Sequence, residues 1–176
     1  MSNLAVALKV MEILEINKYI NINYDAMKKS IKEVTWKGRL EVLDDKPLVV
    51  IDGAHNIQGI CTLKSNIKKY FNYNKLYLIL GILADKDVEH MVKEIVPLAN
   101  KVYAVTPNST RAELAEDLKV EIIKYNTNCE AFRDYEGALN KALVDANEDD
   151  LILASGSLYM IGDMRKLIRK KCLNKK

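Results

Sequence analysis

The sequence predicts an α/β fold of the Rossmann-like class, with a mostly parallel sheet of about six strands, helices on both faces and two helices in front. From Arg39 onward, short apolar runs alternate with amphipathic segments. Several of these runs are apolar throughout, which is typical of strands buried on both faces, and a glycine stands just after three of them. Alternating strands and helices favour right-handed crossovers and therefore a parallel sheet.

The first part of the chain, residues 3–34, has apolar residues at helical spacing. They fall into two groups: Leu4, Ala7, Leu8, Met11 and Leu14, and then Tyr24, Met27, Ile31 and Val34. Asp25 lies at the start of the second group and is predicted to cap it. This part is therefore predicted to form two helices.

The rest of the chain is predicted to begin with a short leading strand at residues 40–43 and a seam at residues 44–47. Apolar runs predict further strands at residues 48–51, 76–80, 102–105, 120–123 and 151–154. Helical spacing predicts helices through residues 60–70, 88–95, 112–118 and 132–143, and a last helix after Gly156. Thr110 and Thr127 each stand three residues before a glutamate, which is capping-box spacing and predicts helix starts there.

The composition is that of an ordinary globular protein, with 176 residues, 49% hydrophobic and 29% charged. The net charge of +3 does not indicate nucleic-acid binding, and the basic residues at 169–171 and 175–176 are predicted to form a solvated helix end. Neither a signal peptide nor an apolar run of about 18 residues is recognisable, so no membrane partner is expected. The three cysteines lack disulfide or zinc-site spacing, which fits a cytoplasmic location.

A candidate site lies where the strand at residues 48–51 ends. This apolar run leads directly into Asp52, Gly53 and His55, and a helical pattern follows. Because the first peptide N–H groups of a helix are unpaired, an anion or a ribose is expected beside Asp52 and His55.

Four predicted strands are followed by a turn residue, respectively Gly53, Gly81, Pro107 and Gly156. Parallel strands end at the same edge of a sheet, so these turns are expected to meet where a ligand binds. The alternative is that the glycines only permit tight strand-to-helix turns.

The usual phosphate-binding loops do not occur in this sequence. No glycine is followed by lysine, so G-x-x-x-x-G-K-[ST] is absent, and G-x-G-x-x-G is absent as well. If the protein uses ATP, the phosphate loop and the magnesium ligands are expected to come from another part of the polypeptide.

Three short motifs carry a resemblance to a known family: residues 38–41 (Gly-Arg-Leu-Glu), 52–56 (Asp-Gly-Ala-His-Asn) and 156–159 (Gly-Ser-Leu-Tyr). With them the chain resembles folylpolyglutamate synthase of the Mur ligase superfamily, including the bifunctional form that is also a dihydrofolate synthase. The similarity runs from about Asn3 to about Arg165 and corresponds to the C-terminal portion of that family. The chain is therefore expected to be a fragment, with residues 1–36 from the end of the ATP-binding domain and its linker, and residues 37–176 forming the glutamate ligase domain.

The resemblance implies an ADP-forming ligase that joins L-glutamate to the γ-carboxylate of a folate tail or to dihydropteroate. ATP converts the carboxylate to an acyl phosphate, which the glutamate amine then attacks. This chemistry requires positive charge near the phosphoryl oxygens and the exclusion of water. ATP and Mg²⁺ are the implied cofactors, with the metal ligands on an absent N-terminal ATPase domain. The fragment alone is expected to be inactive.

Four residues match positions to which the family assigns a role, and a fifth, His55, is a candidate because a histidine at a helix start can donate to a phosphate or a carboxylate. By resemblance, Arg39 contacts the ATP phosphates, Asp52 contacts the nucleotide and Asn3 lies near it. His55 is the candidate acid–base residue and, with Ser157, a candidate for binding glutamate. The alternatives are a surface arginine, a turn aspartate, a helix-capping asparagine, a capping or packed histidine and an N-cap serine.

Other polar residues near the predicted edge have simpler interpretations. The loop of Asp85, Lys86 and Asp87 resembles a family motif, but helix capping by one of the aspartates is the favoured interpretation. His90 is interpreted as an ordinary surface residue.

Two other functions remain open. One is a different amide ligase of the Mur superfamily, which would act on cell-wall precursors or a related polymer. The other is a noncatalytic nucleotide-binding or regulatory module of Rossmann-like form.

Overall fold

The computed structural model describes residues 3–173, with side chains described through Lys171. The chain divides into two compact units, Met1–Trp36 and Lys37–Lys176. Part of the predicted basic tail, Lys175 and Lys176, lies outside the described residues.

The first unit contains two helices, α1 (Asn3–Ile16) and α2 (Tyr24–Glu33), as predicted, and neither has a buried residue. The cap of α2 is Asn23, whose side-chain oxygen accepts a hydrogen bond from the Ala26 amide at 3.0 Å. The prediction of Asp25 as the cap is wrong. Asp25 lies inside the first turn, where its negative charge favours the helix dipole instead.

The second unit alternates strands and helices around a sheet. Its elements are β1 (Glu41–Asp45), β2 (Leu48–Asp52), α3 (Ile57–Tyr70), β3 (Leu76–Leu80), α4 (Val88–Ile95), a 3₁₀ turn (Val96–Leu98), β4 (Lys101–Val105), α5 (Ala115–Ile122), β5 (Cys129–Phe132), α6 (Tyr135–Asp145), β6 (Leu151–Ser155) and α7 (Leu158–Leu173). Within the described residues the sheet has six strands in the order β1-β2-β6-β3-β4-β5. β1 pairs with β2 antiparallel, and every other pairing is parallel. The predicted fold class is confirmed.

Helices cover both faces of this sheet. Successive strand residues point to opposite faces, so Leu78 packs with one core and Ile79 with the other. The first core joins the sheet to α3, α4 and α5, and the second joins it to α6 and α7. Burial on both faces explains why β2, β3 and β6 are apolar apart from Asp52 and Ser155, the last residues of β2 and β6.

The strand predicted at residues 120–123 is wrong, because these residues end α5. Leu118 and Ile122, four residues apart, are buried together, whereas Val120 points to solvent. This is the pattern of a helix with one buried face. The fifth strand of the sheet is β5, an edge strand in which Cys129 is the one buried residue, so its sequence carries little apolar signal.

The capping-box predictions in this region are also wrong. α5 begins at Ala115 rather than near Thr110, and Glu130 lies in β5 rather than in a helix. The backbone N–H of Ala115, at the start of α5, instead donates to the hydroxyl oxygen of Thr106 at 2.9 Å. Thr106 directly follows β4. The predicted seam at residues 44–47 is only partly a turn: Asp44 and Asp45 end β1 and pair with β2, and Lys46 and Pro47 connect the two antiparallel strands.

Candidate active site

The carboxyl ends of β2, β6 and β3 lie side by side. Asp52, the last residue of β2, is in register with Ser155 of β6, and Ser155 is in register with Leu80 of β3. The turns that follow are hydrogen-bonded to one another: the Gly156 amide donates to the Ala54 carbonyl at 3.0 Å, and the Gly81 amide donates to the Ser155 carbonyl at 3.2 Å.. We call these three connected turns the strand-end cluster.

Close contact between two turns of the backbone explains why residue 156 is a glycine. Gly156 has φ +114°, and a Cβ placed there would collide with the carbonyl oxygen of Gly81. Both the conformation and the space exclude a side chain. Glycine is therefore required for the turns to pack, and the packed turns bring the neighbouring polar residues together.

Asp52 links two segments of backbone. Its side chain is buried, with 8% of the residue exposed. Oδ1 accepts the Ala54 amide and Oδ2 accepts the Leu40 amide, both at 2.8 Å. Burial raises the pKa of Asp52, while these hydrogen bonds and the charges of Arg39 and His55 oppose the rise. Each carboxylate oxygen still has a lone pair for a further donor, such as a hydroxyl.

Arg39 is presented by a tightly held loop. Gly38 and Leu40, on either side of it, have φ of +72° and +42°. The Gly38 carbonyl accepts the Gly53 amide at 2.7 Å, and the Leu40 amide is held by Asp52. The Arg39 side chain is exposed and makes no hydrogen bond or ion pair with the described residues, so its guanidinium is free to contact an anion beside Asp52.

His55 does not cap the following helix. Asn56 is the N-cap of α3, and its Oδ1 accepts the Gly59 amide at 2.8 Å. His55 Nδ1 lies 2.8 Å from the Gly53 carbonyl oxygen. Because a carbonyl oxygen only accepts, Nδ1 must donate, and in the corresponding neutral tautomer the Nε2 lone pair is left for another partner.

Ser157 occupies the position just before α7, where its carbonyl accepts the Ile161 amide at 3.0 Å. Its side chain does not act as a cap. The residue is 0% exposed, and its Oγ has no hydrogen-bond partner among the residues that the structure describes. Buried hydroxyl groups without a partner are rare in proteins, and each one requires an explanation.

The structure thus brings Arg39, Asp52, His55 and Ser157 to one edge of the sheet, through bonds between their turns. Asn3 is the first residue of α1, is exposed and belongs to the other compact unit. Its proposed role near a nucleotide stays a prediction.

The loop after β3 contains both a cap and an ion pair. Asp87 caps α4 through the His90 amide at 3.3 Å, which confirms the capping interpretation, and it also contacts His90 Nδ1 at 2.7 Å. Asp85 accepts Arg111 Nη1 at 2.8 Å. Sequence reasoning missed Arg111; the available signal was a charged residue in the loop after a parallel strand.

Two cavities lie away from the strand-end cluster. One of about 390 Å³ is lined by residues at the amino edge of the sheet, including Asp45, Tyr73 and Asp150. The other, of about 490 Å³, lies beyond β4 and β5 and is lined by Asn108 and Arg133 among others. Neither cavity is lined by Asp52, His55 or Ser157.

Among the described residues, no group of three or more His, Cys, Asp or Glu side chains is placed to hold a metal ion. None of the described helices has the length and apolarity needed to cross a bilayer.

Comparison with known proteins places these features in context. The sequence model of a family described as "Mur ligase, glutamate ligase domain" matches residues 38–158. A curated relative, the dihydrofolate synthase/folylpolyglutamate synthase of Bacillus subtilis, is 28% identical over 169 residues, which cover 95% of this chain and 38% of the relative. The chain therefore spans less than half the length of the curated relatives it matches.

Solved structures share the fold. FolC of E. coli, in complex with DHPP and ADP, superposes with a TM-score of 0.79 at 22% identity, covering 87% of this chain and 36% of that one. A folylpolyglutamate synthase of Mycobacterium tuberculosis complexed with ADP gives a TM-score of 0.78 at 26% identity, covering 84% and 36%.

Proposed function

This chain belongs to the Mur ligase glutamate ligase domain family, and we propose that it is the C-terminal domain of an ATP-dependent ligase that adds L-glutamate to folates. Dihydropteroate is a second acceptor in this proposal, because the Bacillus subtilis relative is named for both activities. Residues 1–36 are proposed to come from the end of the ATP-binding domain and its linker, with the ligase domain beginning at residue 37.

The observation that carries the proposal is the strand-end cluster. It holds a buried carboxylate, an imidazole and a buried hydroxyl at one edge of the sheet, and the neighbouring Arg39 loop adds a guanidinium that has no partner among the described residues. These groups complement a phosphate, a ribose and an amino acid. Sites on the ends of parallel strands are also the usual place for ligands in this fold class.

In the proposed reaction the acceptor carboxylate attacks the γ-phosphorus of ATP, which gives an acyl phosphate and ADP. The amine of L-glutamate then attacks the acyl carbon. The new C–N bond forms, the C–O bond to phosphate breaks, and the amine loses a proton. The Arg39 guanidinium donates several hydrogen bonds in one plane, which suits it to neutralise phosphoryl oxygens as charge moves between them.

The other residues have complementary roles. Asp52 accepts a ribose hydroxyl with its remaining lone pairs, and Asn3 contributes near the nucleotide. His55 Nε2 takes the proton that the attacking amine loses, since its Nδ1 is committed to Gly53. The Ser157 hydroxyl donates to a carboxylate of glutamate, which gives this buried group the partner it otherwise lacks.

ATP and Mg²⁺ are part of the proposal, and the M. tuberculosis relative was solved with ADP. The sequence has neither of the usual phosphate-binding loop motifs, and the described residues offer no cluster of side chains that would hold the metal. We therefore assign the phosphate loop and the metal ligands to a preceding ATPase domain. The 176-residue chain alone is then expected to show no ligation. The complete enzyme is proposed to work in the cytoplasm.

A substrate panel tests this function. The complete polypeptide is incubated with ATP, a labelled amino acid, and either dihydropteroate or tetrahydrofolate. We expect glutamate to be joined to at least one folate acceptor, with ADP released in equal amount. Ligation of a different amino acid to a cell-wall precursor would support another Mur-type ligase, and nucleotide binding without any ligation would support a noncatalytic module.

A further inference from the structure

Glu41, the first residue of β1, is a partly buried junction beside the Arg39 loop. Its side chain is 15% exposed. Oε2 accepts the Gly38 amide at 2.7 Å, and both carboxylate oxygens lie 2.9 Å from Arg165 Nε. Arg165 Nη2 adds a contact to Oε1 at 2.9 Å. The hydrogen bond from Arg165 is the main cause that lowers the pKa of Glu41, against the effect of burial.

Arg165 connects this junction to another part of the strand-end cluster. It lies on α7, the helix that begins directly after Ser157. A single helix therefore carries the buried hydroxyl at its start and, two turns later, the guanidinium that holds Glu41. Arg169, one turn further, approaches Glu41 at 3.6 Å but is exposed.

We propose that Glu41 and Arg165 are positioning residues that hold the Arg39 loop in the conformation required for nucleotide binding. This inference rests on the proposed function of Arg39. The carboxylate of Glu41 fixes the Gly38 amide, while Asp52 and Gly53 fix the rest of the loop. Neither Glu41 nor Arg165 has to touch substrate in this account.

The backbone of the loop explains why such a clamp is needed. Leu40 has φ +42°, a left-handed conformation that is unfavourable for a residue with a side chain. Such conformations persist when the surrounding structure holds them in place. Removing the Glu41 clamp leaves the loop free to relax toward ordinary dihedral angles, which moves Arg39 away from its place beside Asp52.

A double-mutant cycle distinguishes positioning from general stabilisation. Arg165→Gln and Glu41→Gln are each made in the complete enzyme, in the wild-type background and in an Arg39→Ala background. The control is Lys166→Gln, on the same helix, because Lys166 pairs with Asp163 at an exposed site away from the loop. The measured quantities are kcat/KM for ATP and KM for glutamate.

In the wild-type background we expect each clamp variant to lower kcat/KM for ATP about tenfold, as loss of a charged hydrogen bond would, with little change in the KM for glutamate. In the Arg39→Ala background the same variants are expected to cause almost no further loss. Arg165→Lys, which keeps the charge but not the paired geometry, is expected to be intermediate. Equal losses in both backgrounds would overturn the proposal.

Amide hydrogen exchange in the 176-residue chain separates failure of this inference from failure of the proposed function. Glu41→Ala is expected to speed exchange of the Gly38 and Leu40 amides about tenfold or more, because Gly38 loses its acceptor and the loop opens locally. The Leu151 amide, in the sheet, should be unchanged. Unchanged exchange at Gly38 and Leu40 would overturn the proposal. This result does not depend on whether the enzyme is a folate ligase.

Discussion

The two compact units differ in how their apolar residues are used. In the first unit, apolar residues recur at helical spacing, yet Leu4 remains 48% exposed and neither helix has a buried residue. In the second unit, Leu78 is fully buried and belongs to one of two cores that enclose the sheet. Helical periodicity therefore identifies a helix but does not show what the apolar face packs against.

This difference also concerns the candidate site. Arg39, Asp52, His55 and Ser157 all belong to the second unit, where short turns are held by buried strands. Binding residues on rigid elements keep their geometry without a ligand to order them. Asn3 belongs to the first unit, in which no described residue is buried. Substitutions in the two units are therefore expected to differ in their effects.

Truncating one leucine in each unit should give the largest difference in stability between the two units. Leu78→Ala removes a fully buried side chain and is expected to lower the free energy of unfolding by about 2–5 kcal/mol. Leu4→Ala, at a half-exposed position, should change it by less than about 0.5 kcal/mol. Urea unfolding followed by circular dichroism measures both, and equal effects would contradict the contrast between the units.

Asp52→Ala should abolish most of the ligation activity of the complete enzyme. The variant loses the acceptor for the Leu40 and Ala54 amides as well as the proposed nucleotide contact, so we expect kcat/KM for ATP to fall about 10²–10³-fold. Asp117→Ala, at an exposed position in the first turn of α5, serves as the matched control. Activity within twofold of wild type in Asp52→Ala would remove Asp52 from the site.

Acid should destabilise the second unit through Asp145. Burial raises the pKa of this carboxyl, but hydrogen bonds from Lys101, Lys141 and Tyr103 outweigh it and lower the pKa to about 2. A folded-state pKa below the unfolded value stabilises the protein above about pH 4, and that contribution disappears as the pH falls toward 2.

The expected contribution of Asp145 is about 1–2 kcal/mol at pH 7. Asp145→Asn should therefore unfold more easily than wild type at pH 7, with a difference that shrinks as the pH falls toward 2. Urea midpoints across this range measure the effect, and a difference independent of pH would contradict the assignment.

Helix caps offer the finest comparison, because each unit has an asparagine N-cap. Asn56→Ala, at α3, is expected to lower the stability of the second unit by about 1 kcal/mol. Asn23→Ala, at α2, should fray that helix and speed its amide exchange without changing the unfolding midpoint of the second unit. A shift of that midpoint by Asn23→Ala would show that the units unfold together.

The sequence alone predicts the central part of the fold well. β2, β3 and β6 are apolar except for Asp52 and Ser155 at the ends of β2 and β6, because both faces of these strands are buried. A following glycine marks where each strand ends. The edge of the sheet is harder to predict, because β5 has only one buried residue and therefore a weak apolar pattern. In α5, the exposed Val120 extends the apolar run at residues 120–123, so that this part of the helix has the pattern of a strand. The spacing of apolar residues along the sequence thus predicts the strands that are buried along their whole length, and it fails at the edge strand.

The polar residues of the site divide in the same way. Asp52 and His55 could be singled out from the sequence because Asp52 ends a strongly apolar strand and His55 lies three residues later. The clamp between Glu41 and Arg165 joins residues 124 positions apart, and the pair of Asp85 and Arg111 joins residues 26 apart. Such pairs have no sequence spacing of their own, because only the folded sheet brings them together.

The proposed role of the strand-end cluster is to hold the incoming glutamate. We would compare the complete wild-type enzyme with a His55→Gln, Ser157→Ala double variant, using radiolabelled L-glutamate, ATP and tetrahydrofolate. We predict that the KM for glutamate rises at least about tenfold in the double variant while the KM for ATP stays close to wild type. An unchanged KM for glutamate would contradict the claim.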